Sequence, residues 1–184
     1  EQRAAVVAGL ENGVSIITGG PGTGKSTSMR VLVAALLKMN KQVALAAPTG
    51  RAAKRLSETT NMPASTIHRL LEYNPAMGGF QRNEDEPIEA DYLIADEFSM
   101  ADIRICASLL AAVQGGTKLV IVGDVDQLPS VGPGQVLRDM IESGAVPTSR
   151  LETVHRTADD SGIPTASQLI NNGAHPLSED GDLA

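Results

Sequence analysis

The chain has 184 residues, 42% of them hydrophobic, enough for one large α/β unit with a real core, built from Leu, Ile, Val, Ala and Met because aromatics make up only 2%. The single Cys106 excludes an intramolecular disulfide, and no apolar run is long enough for a signal peptide or membrane span, so a reducing cytoplasm is the expected setting. A formal net charge of -7 argues against a uniformly basic nucleic-acid binder, yet the acids concentrate at Glu84, Asp85, Glu86, Glu89 and Asp91 and near the C-terminus, leaving Arg51, Lys54, Arg55 and Arg69 as a local basic face.

The chain starts at Glu1-Gln2 without Met and ends in an acidic, unpatterned stretch, so it reads as a fragment of a longer protein. Residues 14–18 form an apolar run that predicts a strand. Directly after it, Gly19-Gly20-Pro21-Gly22-Thr23-Gly24-Lys25-Ser26 fits G-x-x-x-x-G-K-[ST] at every fixed position. Met29, Leu32, Val33, Leu36 and Leu37 recur at helical spacing and predict a helix ending near residues 38–40. Residues 42–47 read as a second strand stopped by Pro48, 50–59 as a second helix, and 65–72 as a short third helix.

Residues 73–91, with Pro75, Gly78, Gly79, Pro87 and five acids, have the composition of a loop or a small insertion. A buried strand is expected at 92–95, and Ser99 with Asp102 resembles a capping box opening a helix through Val113. Further expectations are a strand at 118–122, a helix carrying Val136, Leu137, Met140 and Ile141, a strand at 148–153 and a last helical stretch near 166–171. Short apolar strands alternating with helices predict an α/β fold, a parallel sheet covered on both faces.

The chemistry gathers where strands end. Backbone amides of the glycine-rich loop and the following helix N-terminus suit a phosphate cradle, with Lys25 for the β- and γ-phosphates and Ser26 for Mg²⁺. Asp96 and Glu97 close the strand at 92–95: Asp96 suits holding Mg²⁺, and Glu97 suits orienting or deprotonating a water, a pairing that favours hydrolysis. Gln127, in Gly123-Asp124-Val125-Asp126-Gln127-Leu128-Pro129, can both donate and accept, which suits reading a γ-phosphate. Arg156 follows the strand at 148–153 and could stabilise charge on the transferring phosphate. His68, His155, His175 and Cys106 lack metal-ligand spacing.

Taken in order, residues 19–26, Ala47-Pro48-Thr49-Gly50-Arg51-Ala52-Ala53, Thr66-Ile67-His68, Asp96-Glu97-Phe98-Ser99-Met100, residues 123–129 and Val154-His155-Arg156 resemble the motifs of superfamily 1 helicases. The Pro-Thr-Gly-Arg-Ala-Ala, Asp-Glu-x-Ser-Met and Gly-Asp-x-x-Gln-Leu-Pro forms are most similar to the RecD-like branch, which moves 5′ to 3′ on single-stranded DNA. The resemblance implies a RecA-like P-loop NTPase fold, a first motor domain spanning 1–184, and ATP with Mg²⁺ at its site. Gln2 would belong to the adenine-reading Q motif, with Gly20, Pro21, Gly22, Thr23, Gly24, Lys25, Ser26 and Thr27 around the phosphates. Pro48, Thr49, Gly50, Arg51, Thr66 and His68 would touch single-stranded DNA through its backbone.

It further implies a small hairpin at 73–91 and a second RecA-like domain that closes the ATP site, with repair or recombination subunits as possible partners and no membrane. The residue after Arg156 is Thr157, where the family usually has Gln. Two other readings stay open: a P-loop NTPase, AAA-type or other, unconnected with helicases, and a degenerate helicase domain kept as a single-stranded DNA-binding module.

Overall fold

The computed structural model describes residues 1–154. In chain order the elements are α1 (Gln2–Glu11), β1 (Val14–Gly19), α2 (Lys25–Lys38), β2 (Val43–Ala47), α3 (Gly50–Thr60), β3 (Ser65–Thr66) and α4 (Ile67–Leu70). Next come β4 (Tyr73–Asn74), β5 (Gly79–Phe80), β6 (Tyr92–Ala95), α5 (Ile103–Ala111), β7 (Lys118–Gly123), α6 (Val136–Glu142) and β8 (Thr148–Leu151). Six strands form one parallel sheet in the order β3-β2-β6-β7-β1-β8.

Side chains alternate across this sheet, as the two-residue pleat requires. Ile16, Leu93, Leu119 and Ile121 enter one core with Cys106 and Leu109 of α5 and Leu137 of α6. Ile17, Ile94, Val120 and Val122 enter the other with Leu32, Val33 and Leu36 of α2 and Leu56 of α3. Apolar residues on both sides explain why these strands read as continuous runs: helices α1 to α3 cover one face and α4 to α6 the other.

Three elements differ from expectation. Residues 65–72 are not one helix, because Ser65 and Thr66 pair in parallel with Ala46 and Ala47, and only then does α4 begin, with the Thr66 hydroxyl accepting from the Arg69 amide at 3.2 Å. Asp102 is not the third residue of a capping box opened by Ser99. It is itself the cap of α5, accepting from the Ile105 amide at 2.8 Å, while Phe98–Met100 form a separate 3₁₀ turn. Helix α1 has no counterpart in the pattern reading, since it packs through small residues: a Cβ on Gly9 would stand 3.0 Å from Leu32 Cδ2. The stretch near 166–171 lies outside the described residues.

Within 73–91, β4 and β5 make a two-stranded antiparallel pair joined by a 3₁₀ turn at Pro75–Met77. Its rings collect with His68: Tyr73 and Phe80 centroids are 5.1 Å apart, and His68 lies 5.8 Å from Tyr73 and 5.5 Å from Phe80.

Candidate functional site

Every strand of a parallel sheet ends on the same edge, so the sheet order fixes the order of the loops that leave the strands. Reading across that edge, Thr66 ends β3, Pro48 and Thr49 follow β2, Asp96 and Glu97 follow β6, Asp124 follows β7, Gly20 follows β1 and Glu152 follows β8. All the sequence-derived motifs in the described residues therefore share one edge, phosphate-type groups on β6, β7 and β1 and the Thr49 and Thr66 groups on β2 and β3.

The glycine-rich loop joins β1 to α2. Gly24 sits before the first residue of α2 with φ 97°, a conformation that costs any side-chain-bearing residue about 1–2 kcal/mol. Thr23 is buried, and its hydroxyl donates to the Gly20 carbonyl at 2.9 Å, closing the loop on itself. Lys25 Nζ donates to the carbonyls of Gly19 and of Gly20, the latter at 3.0 Å, which aims its charge over the loop. Ser26 and Thr27 are exposed in the first turn of α2. Gln2 reaches the same loop from α1, its side-chain amide donating to the Thr23 carbonyl at 3.4 Å.

Beside the loop, Asp96 accepts from the Glu97 amide at 2.9 Å. Burial pushes its carboxyl up to about 6; the Glu97 charge adds to that rise, and the Glu97 amide and the Lys25 charge oppose it. The Asp96 carboxylate is thus poorly compensated by the protein alone. Glu97 has φ 52°, the left-handed region that non-glycine residues seldom occupy. That kink turns the chain from β6 into the Phe98–Met100 turn and holds both carboxylates at the strand end.

After β7, Asp124 is 2% exposed and its Oδ1 accepts from the Asp126 amide at 3.1 Å. The Gln127 amide donates to the Asp124 carbonyl at 3.2 Å, and the Val125 amide to Thr18 Oγ1 at 3.4 Å, tying this loop to β1. Gln127 is exposed. It lines a groove of about 610 Å³ together with Pro48, Thr49, His68, Met100 and Leu128. The two halves of the edge therefore meet at Gln127.

Of the residues assigned to single-stranded DNA, Pro48, Thr49 and His68 share this groove, while Gly50 and Thr66 line a neighbouring one of about 460 Å³ with Lys54 and Arg69. Arg51 is exposed on the first turn of α3. The Thr49 hydroxyl caps α3, accepting from the Ala52 amide at 3.2 Å, so both threonine oxygens serve as helix caps and keep a proton to donate. Arg156 lies outside the described residues.

Sequence reasoning missed Glu1. Its carboxylate accepts from the Glu152 amide at 2.9 Å and the Thr153 amide at 3.1 Å, bonds that hold its pKa below the ordinary range. Sequence reasoning places Asp124 inside the motif at 123–129 without a role of its own; an acid directly after a buried strand is the available signal. Among the described residues no cluster of three or more His, Cys, Asp or Glu could hold a metal, and no helix is long and apolar enough to cross a membrane.

A glycine-rich loop between the first strand and its helix, with an Asp-Glu pair on a nearby strand of a parallel sheet, defines an α/β P-loop NTPase. A family model described as an AAA domain matches residues 2–133, and the chain belongs to that family.

The chain is 42% identical over 177 residues, 96% of its length, to the ATP-dependent RecD2 DNA helicase of Deinococcus radiodurans, and covers 24% of that protein. It is 39% identical over 187 residues to the RecBCD enzyme subunit RecD of Mycolicibacterium smegmatis, covering 88% of this chain and 34% of that one. It thus spans about a quarter to a third of these relatives. The crystal structure of Pif1 helicase from Candida albicans matches with a TM-score of 0.67 and 26% identity over 95% of this chain and 44% of that one. Bacteroides Pif1 bound to single-stranded DNA shares the fold, with a TM-score of 0.64 and 22% identity over 97% of this chain and 46% of that chain. Over nearly its whole length the chain is thus similar to part of RecD and Pif1 helicases.

Proposed function

We propose that this chain binds and hydrolyses ATP as the first motor domain of a RecD-like 5′ to 3′ DNA helicase, coupling hydrolysis to movement on single-stranded DNA. The observation that carries the reading is the sheet edge, where the Lys25 loop, the Asp96-Glu97 pair and Gln127 stand beside a groove lined by Thr49 and His68. The loop from Gly20 to Thr27 holds the phosphates through its backbone amides, Pro21 having none to give, Lys25 neutralises the β- and γ-oxygens, and Gln2 reads the base. Glu97 orients the attacking water and accepts its proton, Gln127 senses the γ-phosphate, and Arg156 supports charge on the transferring group.

Ser26 and Asp96 would hold Mg²⁺. One hydroxyl and one desolvated, under-compensated carboxylate suit a cation that takes its remaining ligands from phosphate and water. When bound, that ion would supply positive charge that offsets the charge developing on the phosphates. Pro48, Thr49, Gly50, Arg51, Thr66 and His68 hold the strand by its backbone. A second RecA-like domain completes the site, the setting is cytoplasmic, and partners are repair or recombination subunits, the smegmatis relative being by name a subunit of the RecBCD enzyme.

The test is titration of the chain and of Lys25→Ala with Mg·ATP and with oligo(dT). Wild type should bind nucleotide, with slow hydrolysis by this half-site, and Lys25→Ala should lose at least about tenfold in nucleotide affinity while keeping its DNA affinity. Unchanged nucleotide binding in Lys25→Ala overturns the site assignment. Tight DNA binding with no nucleotide binding in wild type identifies a non-catalytic binding module instead.

A further inference from the structure

Two consecutive side chains at the start of α1 hold two segments that leave the sheet edge side by side. Gln2 donates to the Thr23 carbonyl of the phosphate loop, and Glu1 reaches the chain leaving β8. Glu1 Oε2 accepts from the Glu152 amide at 2.9 Å and the Thr153 amide at 3.1 Å, and Oε1 accepts from the Thr153 hydroxyl at 3.1 Å. Glu1 stands at the N-cap of α1, yet its side chain makes no capping bond to that helix. Its three hydrogen bonds go instead to a segment 151 and 152 positions away.

The place of those amides explains the carboxylate. β8 pairs with β1 only as far as Leu151 opposite Gly19, where β1 ends and the phosphate loop begins. Beyond that point β1 offers Glu152 and Thr153 no strand carbonyl, and one carboxylate oxygen takes up both amides in its place. The amides of Thr153 and Glu152 hold the Glu1 carboxyl below its ordinary range, so it is ionised at neutral pH and its bonds are charge-assisted.

Loop and strand exit lie backbone against backbone here. A Cβ on Gly19 would collide with the Leu151 carbonyl oxygen and stand 2.8 Å from Thr23 Oγ1. Arg156 follows Thr153 by three residues, which span at most about 11 Å of chain. Fixing Thr153 therefore confines the Arg156 backbone to that radius around a point beside the phosphate loop.

We propose that Glu1 is a positioning residue for hydrolysis: by clamping the Glu152 and Thr153 amides next to the phosphate loop, it sets the point from which the chain carries Arg156 to the transferring phosphate. The inference rests on the ATP-hydrolysing reading of this site and on the role given there to Arg156. The Glu1 carboxylate, engaged by three protein donors, acts through Arg156 and not on the phosphates.

The test compares wild type, Glu1→Ala, Glu1→Gln, Arg156→Ala and the Glu1→Ala/Arg156→Ala double variant of the 184-residue chain, with thermal melts checking that each folds. Two quantities are read: single-turnover hydrolysis of Mg·ATP, and the gain in Mg·ADP affinity when aluminium fluoride, a mimic of the transferring phosphate, is added. Glu1→Ala should lower both by about 10- to 100-fold, the scale of a misplacement of about 1 Å, while Mg·ADP affinity alone changes by less than about twofold. Glu1→Gln keeps a side-chain oxygen for the two amides and should stay within about threefold of wild type. The double variant should match Arg156→Ala within about twofold, because the clamp then has no arginine to position. Amide exchange at Glu152 and Thr153 should be faster in Glu1→Ala than in Glu1→Gln.

A Glu1→Ala chain that works like wild type while Arg156→Ala fails, a Glu1→Gln chain as impaired as Glu1→Ala, effects that multiply in the double variant, or loss of Mg·ADP affinity along with the rate each overturn the proposal. An Arg156→Ala chain equal to wild type is a different result: it removes Arg156 from the chemistry and overturns the reading beneath the proposal. Failure of wild type to bind Mg·ADP overturns the nucleotide site itself.

Discussion

The side-chain amide nitrogen of Gln2 lies against the position where a Cβ on residue 24 would be built, so with any residue but glycine there Gln2 must swing away from the phosphate loop. Gly24 also has φ 97°, which gives two independent reasons for the same residue. Gly24→Ala should lower the melting temperature by an amount equivalent to about 1–2 kcal/mol and weaken Mg·ATP binding at least about tenfold. Adding Gln2→Ala removes the collision and leaves the backbone strain, so stability should recover only in part. Full recovery in the double variant would mean that strain at φ 97° contributes nothing.

Asp96 makes stability depend on pH in an unusual direction for a carboxylate. Its folded pKa is raised to about 6 against an ordinary value of 3.8, so between those values the native state binds more protons than the unfolded chain. Stability from this group is therefore present at low pH and lost as pH rises through about 6. The full cost of ionised Asp96 at neutral pH is at most roughly 3 kcal/mol. In EDTA, Asp96→Asn should melt higher than wild type at pH 7.5, with the difference shrinking toward pH 4.5, and thermal melts across that range check it. A variant less stable than wild type at pH 7.5 contradicts the desolvation account.

The sheet and the shared edge of most candidate site residues were legible because both are written in local pattern. Apolar runs at 14–18, 92–95 and 118–122 become β1, β6 and β7, and each motif directly follows its strand, so adjacency in sequence becomes adjacency along one edge. What escaped depends on long-range pairing. Ser65 and Thr66 became a strand only because Ala46 and Ala47 offered a free edge, and two residues cannot show a period. Glu1 binds amides 151 and 152 positions away, a relationship that no window contains. Helix α1 hides because Ala5 and Gly9 bury it through smallness instead of an apolar stripe.

Glu97 combines a proposed chemical role with an unfavourable backbone, and substitutions can separate the two. At φ 52° a glycine is at ease and an alanine is not. Glu97→Gly should be more stable than Glu97→Ala by roughly 1 kcal/mol, although glycine ordinarily loosens a chain. Both, and Glu97→Gln, should keep Mg·ATP binding and lower hydrolysis about 10²–10⁴-fold if Glu97 activates water. Equilibrium unfolding in urea and single-turnover hydrolysis give the two readouts. Wild-type hydrolysis rates in Glu97→Gln would remove Glu97 from the chemistry and leave it as a turn residue.

His68 belongs to two structures at once, the groove with Thr49 and Gln127 and the ring cluster with Tyr73 and Phe80. Tyr73 is 52% exposed, so the cluster is held by its own ring contacts, two edge-to-face and one tilted, each worth about 0.5–1.5 kcal/mol, with little burial to support it. His68→Ala should therefore loosen the β4–β5 pair as well as weaken oligo(dT) binding. His68→Phe restores the ring contacts and removes the imidazole hydrogen bonds. If the strand is held by hydrogen bonds from His68, both variants should bind oligo(dT) about three- to tenfold more weakly; if His68 acts by keeping the hairpin in place, only His68→Ala should. Amide hydrogen exchange at residues 73–80, faster in His68→Ala than in His68→Phe, reports the hairpin separately from the DNA titration, so the two roles can be told apart even when the affinities fall together.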